Sequence, residues 1–220
     1  MSGLPNGYPL ITVGDGVTLT LRNITFMGLV GNTASLIVVA SGGHLVLETG
    51  AAITNNTIPG GSGGGVSVDN GGAFTMHDGE ISGNRAYYGG GVVGGGNSTL
   101  TMTGGTIRGN AATIGGGVFM DGADFFDEVL TGTFTMSGGT ISGNQANDSG
   151  GGVYVDAMSA FSKTGSGTIY GSNGGANANT APNGGAVYIS SDPATKRNAT
   201  AGAGVDLGYP GGVQDNWEQD

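Results

Sequence analysis

The sequence predicts an all-β chain wound as a right-handed parallel β-helix of about six coils, with capping segments at both ends. A unit of 26 to 29 residues recurs along most of the chain, each unit holds short segments of alternating apolar and polar residues, and glycines fall at matching places in the copies. Gly fills 50 of the 220 positions, a composition shared by disordered low-complexity chains and by repeat folds with recurrent tight turns. Periodicity together with many Val, Ile, Thr and Phe residues decides for the ordered repeat, because those side chains suit a pleated, half-buried surface.

The clearest copies are FTMHDGEISGN at 74–84, LTMTGGTIRGN at 100–110 and FTMSGGTISGN at 134–144, followed by GGGVV at 89–93, GGGVFMD at 115–121 and GGGVYVD at 150–156. Weaker copies start at Leu19 and Leu45 upstream and at Phe161 downstream, which makes six. Matching isoleucines at Ile24, Ile53, Ile81, Ile107, Ile141 and Ile169 give spacings of 29, 28, 26, 34 and 28 residues, the long interval carrying an insertion at 123–132. Three short β-type segments and no helical pattern per unit suit one solenoid coil, whose strands stack on the next at about 4.8 Å. Leucine-rich repeats lack support because their Leu-x-x-Leu-x-Leu pattern is missing, and a propeller blade is longer.

Period-two alternation assigns the interior. Phe74, Leu100, Phe134 and Phe161 point inward with Met76, Met102 and Met136; the second segment buries the isoleucine; Val66, Val92, Val118, Val153 and Val187 point inward from the third. Gly104–Gly105 and Gly138–Gly139 mark a corner where φ > 0 costs Gly nothing. Asn56, Asn84, Asn110 and Asn144 recur three residues after the isoleucine, at a corner where Asn tolerates a left-handed bend and its amides can bond from coil to coil. Residues 1–16 are expected to cap the first coil, 17–191 to form the solenoid, and 192–220 to cap the last coil or link onward.

Sixteen acidic against six basic residues give a net charge of −10, which sets nucleic-acid and anionic-membrane partners aside. No apolar stretch approaches the roughly 20 residues of a membrane-spanning helix, and the chain has no Cys.

The stretches ISGNRAYYGGGVV (81–93), IRGNAATIGGGVFM (107–120), ISGNQANDSGGGVYV (141–155) and NGGAVYI (183–189) resemble the repeats of bacterial polymorphic outer-membrane proteins and related adhesin-like β-helices, with Ile-x-x-Asn where that family has Phe-x-x-Asn. The resemblance implies an extracellular, cell-surface segment of a larger bacterial protein, non-catalytic, that binds a host or cell-surface glycan or protein. Two alternatives belong to other classes: a carbohydrate-active enzyme of the polysaccharide lyase or glycoside hydrolase type, and a structural module that self-associates end to end into fibres.

Candidate residues lie on the third segment and the insertion. Phe119, Tyr154 and Tyr188 form an outward stripe, with Phe125 and Phe126 beside it, where aromatic faces exposed together can stack on sugars or anchor a protein. Asp69, Asp121 and Asp156 end the third segment; Asp121 and Asp156, one coil apart, are the best carboxylate pair. Capping their own turns is the favoured use, with a weak Ca²⁺ or sugar contact next and a glycosidase pair last. No cofactor is otherwise called for. Arg108 and Glu80, on adjacent coils, are expected to form a surface ion pair.

Overall fold

The computed structural model describes residues 7–125, 128–190 and 207–208. The chain winds as a right-handed parallel β-solenoid of about six coils, the hand that a right-twisted strand imposes on a crossover to its parallel neighbour. A methionine sheet stacks Thr18–Leu21, His44–Leu47, Ala73–Met76, Thr99–Met102, Thr133–Met136 and Ala160–Lys163. An isoleucine sheet stacks Thr25–Met27, Ala52–Thr54, Glu80–Ser82, Thr106–Arg108, Thr140–Ser142 and Thr168–Ile169. A valine sheet begins at Ile11–Val13 and Ile37–Val39 and continues through Val66–Val68, Val92–Gly94, Val118–Met120, Val153–Val155 and Val187–Ile189 to Leu207–Gly208.

Equivalent positions stand directly above one another: Ile53, Ile81, Ile107, Ile141 and Ile169 pair in series, as do Met76, Met102 and Met136. Those side chains are at most 2% exposed. Burial of each such side chain is worth about 1.5–3 kcal/mol, so the interior is a continuous column to which every coil adds one slice.

Two expectations about the coils need correction. Ile24 does not begin the isoleucine ladder: Phe26 pairs with Ile53, and Ile24 is exposed, because the first coil is two residues out of step with the repeat. Each middle coil carries four strands rather than three. The extra sheet comprises Thr57–Ser62, Arg85–Tyr88, Ala111–Ile114 and Gln145–Ser149, and the apolar residues it buries are only Ile58, Ala86, Ala112 and Ala146. Such small inward residues leave almost no hydrophobic alternation to read. Within the segment 1–16, Ile11–Val13 pairs with Ile37–Val39, and in the tail Leu207 pairs with Val187.

The asparagine corner works differently from its sequence rationale. Left-handed φ falls on the residue before the ladder Asn, at Asn55, Gly83, Gly109 and Gly143. The ladder asparagines are instead fully buried and bond along the axis. Asn84 donates its backbone N–H and its Nδ2 to Asn110 Oδ1, at 2.9 and 3.1 Å, and Asn110 does the same to Asn144 Oδ1. Each also donates Nδ2 to the isoleucine carbonyl one coil back, as Asn110 does to Ile81 at 2.9 Å. Asn179, ten residues after Ile169, receives the last pair of bonds from Asn144, and its offset from the repeat hides it in the sequence.

Charges on the surface pair across coils. Arg108 meets Glu80 at 2.9 Å, and Arg22 meets Glu48 at 2.6 Å. Both are exposed pairs of the kind worth about 0–1 kcal/mol.

Candidate functional site

The outer face of the valine sheet is where the candidate residues gather. In register on that face stand Ser67, Val93, Phe119, Tyr154 and Tyr188. Phe119 and Tyr154 stack with ring centroids 4.9 Å apart and planes 8° from parallel, and Tyr154 and Tyr188 stack at 5.4 Å. Tyr88, from the extra sheet, tilts over Phe119 at 4.9 Å. Sequence reasoning missed Tyr88, and the Tyr-Tyr pair just ahead of Gly89–Gly91 was the available signal.

This geometry revises the stacking expectation. Parallel rings one coil apart present their faces to each other, so each stabilises the ladder and turns its edge outward. Phe119 is only 7% exposed, while Tyr154 and Tyr188 are half-buried. Burial holds both tyrosine hydroxyls above the usual phenol range, although a hydrogen bond with Ser190 offsets part of the effect at Tyr154.

Beside the stripe runs the row of turn residues Asp69, Gly95, Asp121 and Asp156. Each follows a strand of the valine sheet and bonds its backbone N–H one coil back, as Asp121 does to Gly94 O at 2.8 Å and Asp156 to Met120 O at 2.9 Å. Their side chains differ. Asp156 Oδ1 accepts the Met158 N–H at 3.3 Å and so caps its own turn; Asp69 Oδ1 accepts the Ser67 hydroxyl at 3.5 Å. Among the described residues no hydrogen bond reaches the Asp121 carboxylate. Burial raises its pKa above the ordinary aspartate value, and the adjacent charge of Asp156 raises it further. Asp69 is also raised by burial, with the Ser67 bond opposing.

Stripe and row line one groove, a cavity of about 740 Å³. Its floor is Ser67, Val93, Phe119 and Tyr154; Ser62, Tyr88 and Ile114 form one wall; Asp69, Asn70, Gly95, Asp121 and Asp156 form the other. Tyr188 continues the stripe beyond it.

The insertion is an antiparallel hairpin, with Ala123–Phe125 paired to Glu128–Leu130, that leaves the solenoid directly after the acidic row. Its return leg leans back on the preceding coil: Thr131 N–H bonds Asn97 Oδ1 at 3.2 Å, and Gly96 has room for Leu130 only because it lacks a Cβ. Phe126 and the side chain of Phe125, expected beside the stripe, lie outside the described residues.

Among the described residues no three His, Asp or Glu side chains are placed together to hold a metal ion, and Asp121 with Asp156 remains a pair. His44 and His77 sit outside the groove, each bonded to a threonine hydroxyl at 2.9 Å.

These features define the class: a right-handed parallel β-solenoid carrying one lateral groove lined by aromatic edges and carboxylates. Comparison with known protein families, characterised proteins and solved structures finds no match for this chain.

Proposed function

We propose that the chain is a non-catalytic, surface-displayed binding segment of a larger bacterial protein, engaging a cell-surface glycan or protein along the groove of the valine sheet. The observation that carries this is the groove itself, about 740 Å³ lined by aromatic edges and carboxylates. Concave sites with a few convergent polar groups on a rigid scaffold are where ligands bind. The likeness of the repeat to adhesin-like β-helices supports the extracellular, cell-surface placement. Ser67→Trp, on the groove floor, is expected to abolish binding to cells and glycan arrays while leaving the circular dichroism spectrum unchanged. Thr101→Trp, on the outer face of the methionine sheet, is the matched control. Wild-type binding by Ser67→Trp overturns the proposal.

The enzyme alternative fits the site less well. A glycosidase places its two carboxyls on opposite sides of the scissile bond, whereas Asp121 and Asp156 are neighbours in one row on one wall. Turnover of a polysaccharide that Asp121→Ala and Asp156→Ala each remove would restore that alternative.

End-to-end association has its own supporting observation. Of the large hydrophobic side chains left exposed among the described residues, Tyr8, Leu10, Val17, Ile24, Met27, Leu29 and Val30 all belong to the first coil and its approach. Unpaired strand edges bearing apolar residues template further pairing. On this second reading, sedimentation velocity detects concentration-dependent species that Met27→Glu with Leu29→Glu disperses.

A further inference from the structure

The groove carries a charge pattern that its shape does not require. Its lining includes the carboxylates of Asp69, Asp121 and Asp156 and neither Lys nor Arg. Two of the three are raised above ordinary aspartate values, burial being the main cause in each. Among the described residues of the lining these partly desolvated anions have no counter-charge, and a cation entering the groove supplies one.

Spacing narrows the occupant. The row advances one coil at a time, about 4.8 Å per step, and same-side side chains of an extended peptide repeat at about 6.8 Å, so a bound peptide slips out of step with it. An extended β-1,4-linked pyranose chain advances by close to one coil per ring and turns over at each ring, so its 2-amino groups return to one side every second ring, close to the two coils that separate Asp69 from Asp121. Gly95, the one position of the row without a side chain, leaves space for a ring between Asp69 and Asp121. The Ser62 and Ser67 hydroxyls and the Asn70 amide are available to sugar hydroxyls.

We propose that the groove takes a linear cationic amino-sugar chain, its ammonium groups on the Asp121–Asp156 pair and on Asp69, its rings against Val93 and the edges of Phe119 and Tyr154. This rests on the groove being the binding site. The fully deacetylated glucosamine hexamer, its N-acetylated counterpart and a lysine hexapeptide, titrated calorimetrically against the whole chain at mildly acidic pH, provide the test.

The deacetylated hexamer is expected to bind, the other two at least about tenfold more weakly, and Asp121→Asn with Asp156→Asn to weaken the hexamer by about tenfold or more. Added salt should weaken it as well. Equal binding of the acetylated hexamer, or an unaffected double variant, overturns the cationic assignment. Equal binding of the peptide overturns the sugar. Silence from all three probes overturns the inference as a whole. In every one of these cases the Ser67→Trp comparison on cells still decides independently whether the groove binds anything.

Discussion

At the scale of single residues, the buried amides and the groove carboxylates do opposite things to stability. Asn110 accepts two bonds from Asn84 and donates to Ile81 O and Asn144 Oδ1, all in the dry interior. Asn110→Ala strands several buried polar groups at once, each costing about 1–3 kcal/mol, so urea unfolding should show a loss of about 3–5 kcal/mol. Asp121 and Asp78 titrate with opposite signs. The Asp121 pKa is raised in the folded chain, so stability falls as pH climbs from the ordinary aspartate value through the raised one. Asp121→Asn is therefore expected to raise the melting temperature at neutral pH and to leave it unchanged in acid. Asp78 is lowered, by the Gly79 N–H and then by the Thr49 hydroxyl. Its contribution is present above the ordinary value and disappears as pH falls through the lowered one, so Asp78→Asn should lower the melting temperature at neutral pH only. Melting curves of both variants across pH check the signs.

At the scale of elements, the triple-glycine turn and the hairpin mark what the repeat requires and what it merely accommodates. In the turn Gly115–Gly117, Gly115 takes φ 68, and a Cβ on Gly117 would lie 2.5 Å from Gly152 O on the next coil. The equivalent place one coil beyond Gly152 is Ala186, which carries a side chain there and is fully buried. Gly117→Ala should cost at least about 1 kcal/mol, whereas Ala186→Gly should cost about 0.4–1 kcal/mol. Deleting 123–130 returns the interval between Ile107 and Ile141 from 34 residues to 26, the interval between Ile81 and Ile107. With Thr131→Asn to match left-handed Asn97 (φ 55), the shortened turn has the form of the turn one coil earlier. The far-ultraviolet spectrum and cooperative unfolding should survive this deletion, because Thr99 already pairs with Thr133 across the insertion.

At the scale of the whole molecule, the solenoid is polar along its axis. Its first coil exposes apolar side chains, while at the other end of the methionine column Lys163 stands in register with Met136 and is 6% exposed. An inward-pointing charge on an edge strand is a device against further strand addition. Lys163→Met should therefore raise the melting temperature by a few degrees, by extending the apolar column, and make self-association visible in sedimentation.

The interior was legible in the sequence because identical side chains must stack when every coil repeats the last: Phe74 over Leu45, Ile81 over Ile53 and Val92 over Val66 follow from period and alternation alone. The extra sheet was not legible, since Ala86, Ala112 and Ala146 give no hydrophobic signal, and neither was Asn179, displaced by a longer excursion after Ile169. By itself the sequence determined the winding, the column and the rows of aromatic and acidic residues, all properties of a one-dimensional repeat. Only the tertiary structure decided that Tyr88 closes over Phe119, that the stripe shows its edges, and that stripe and carboxylates share a groove. Those facts depend on how a turn brings one sheet against another, and contacts between non-equivalent positions leave no period of their own in the chain.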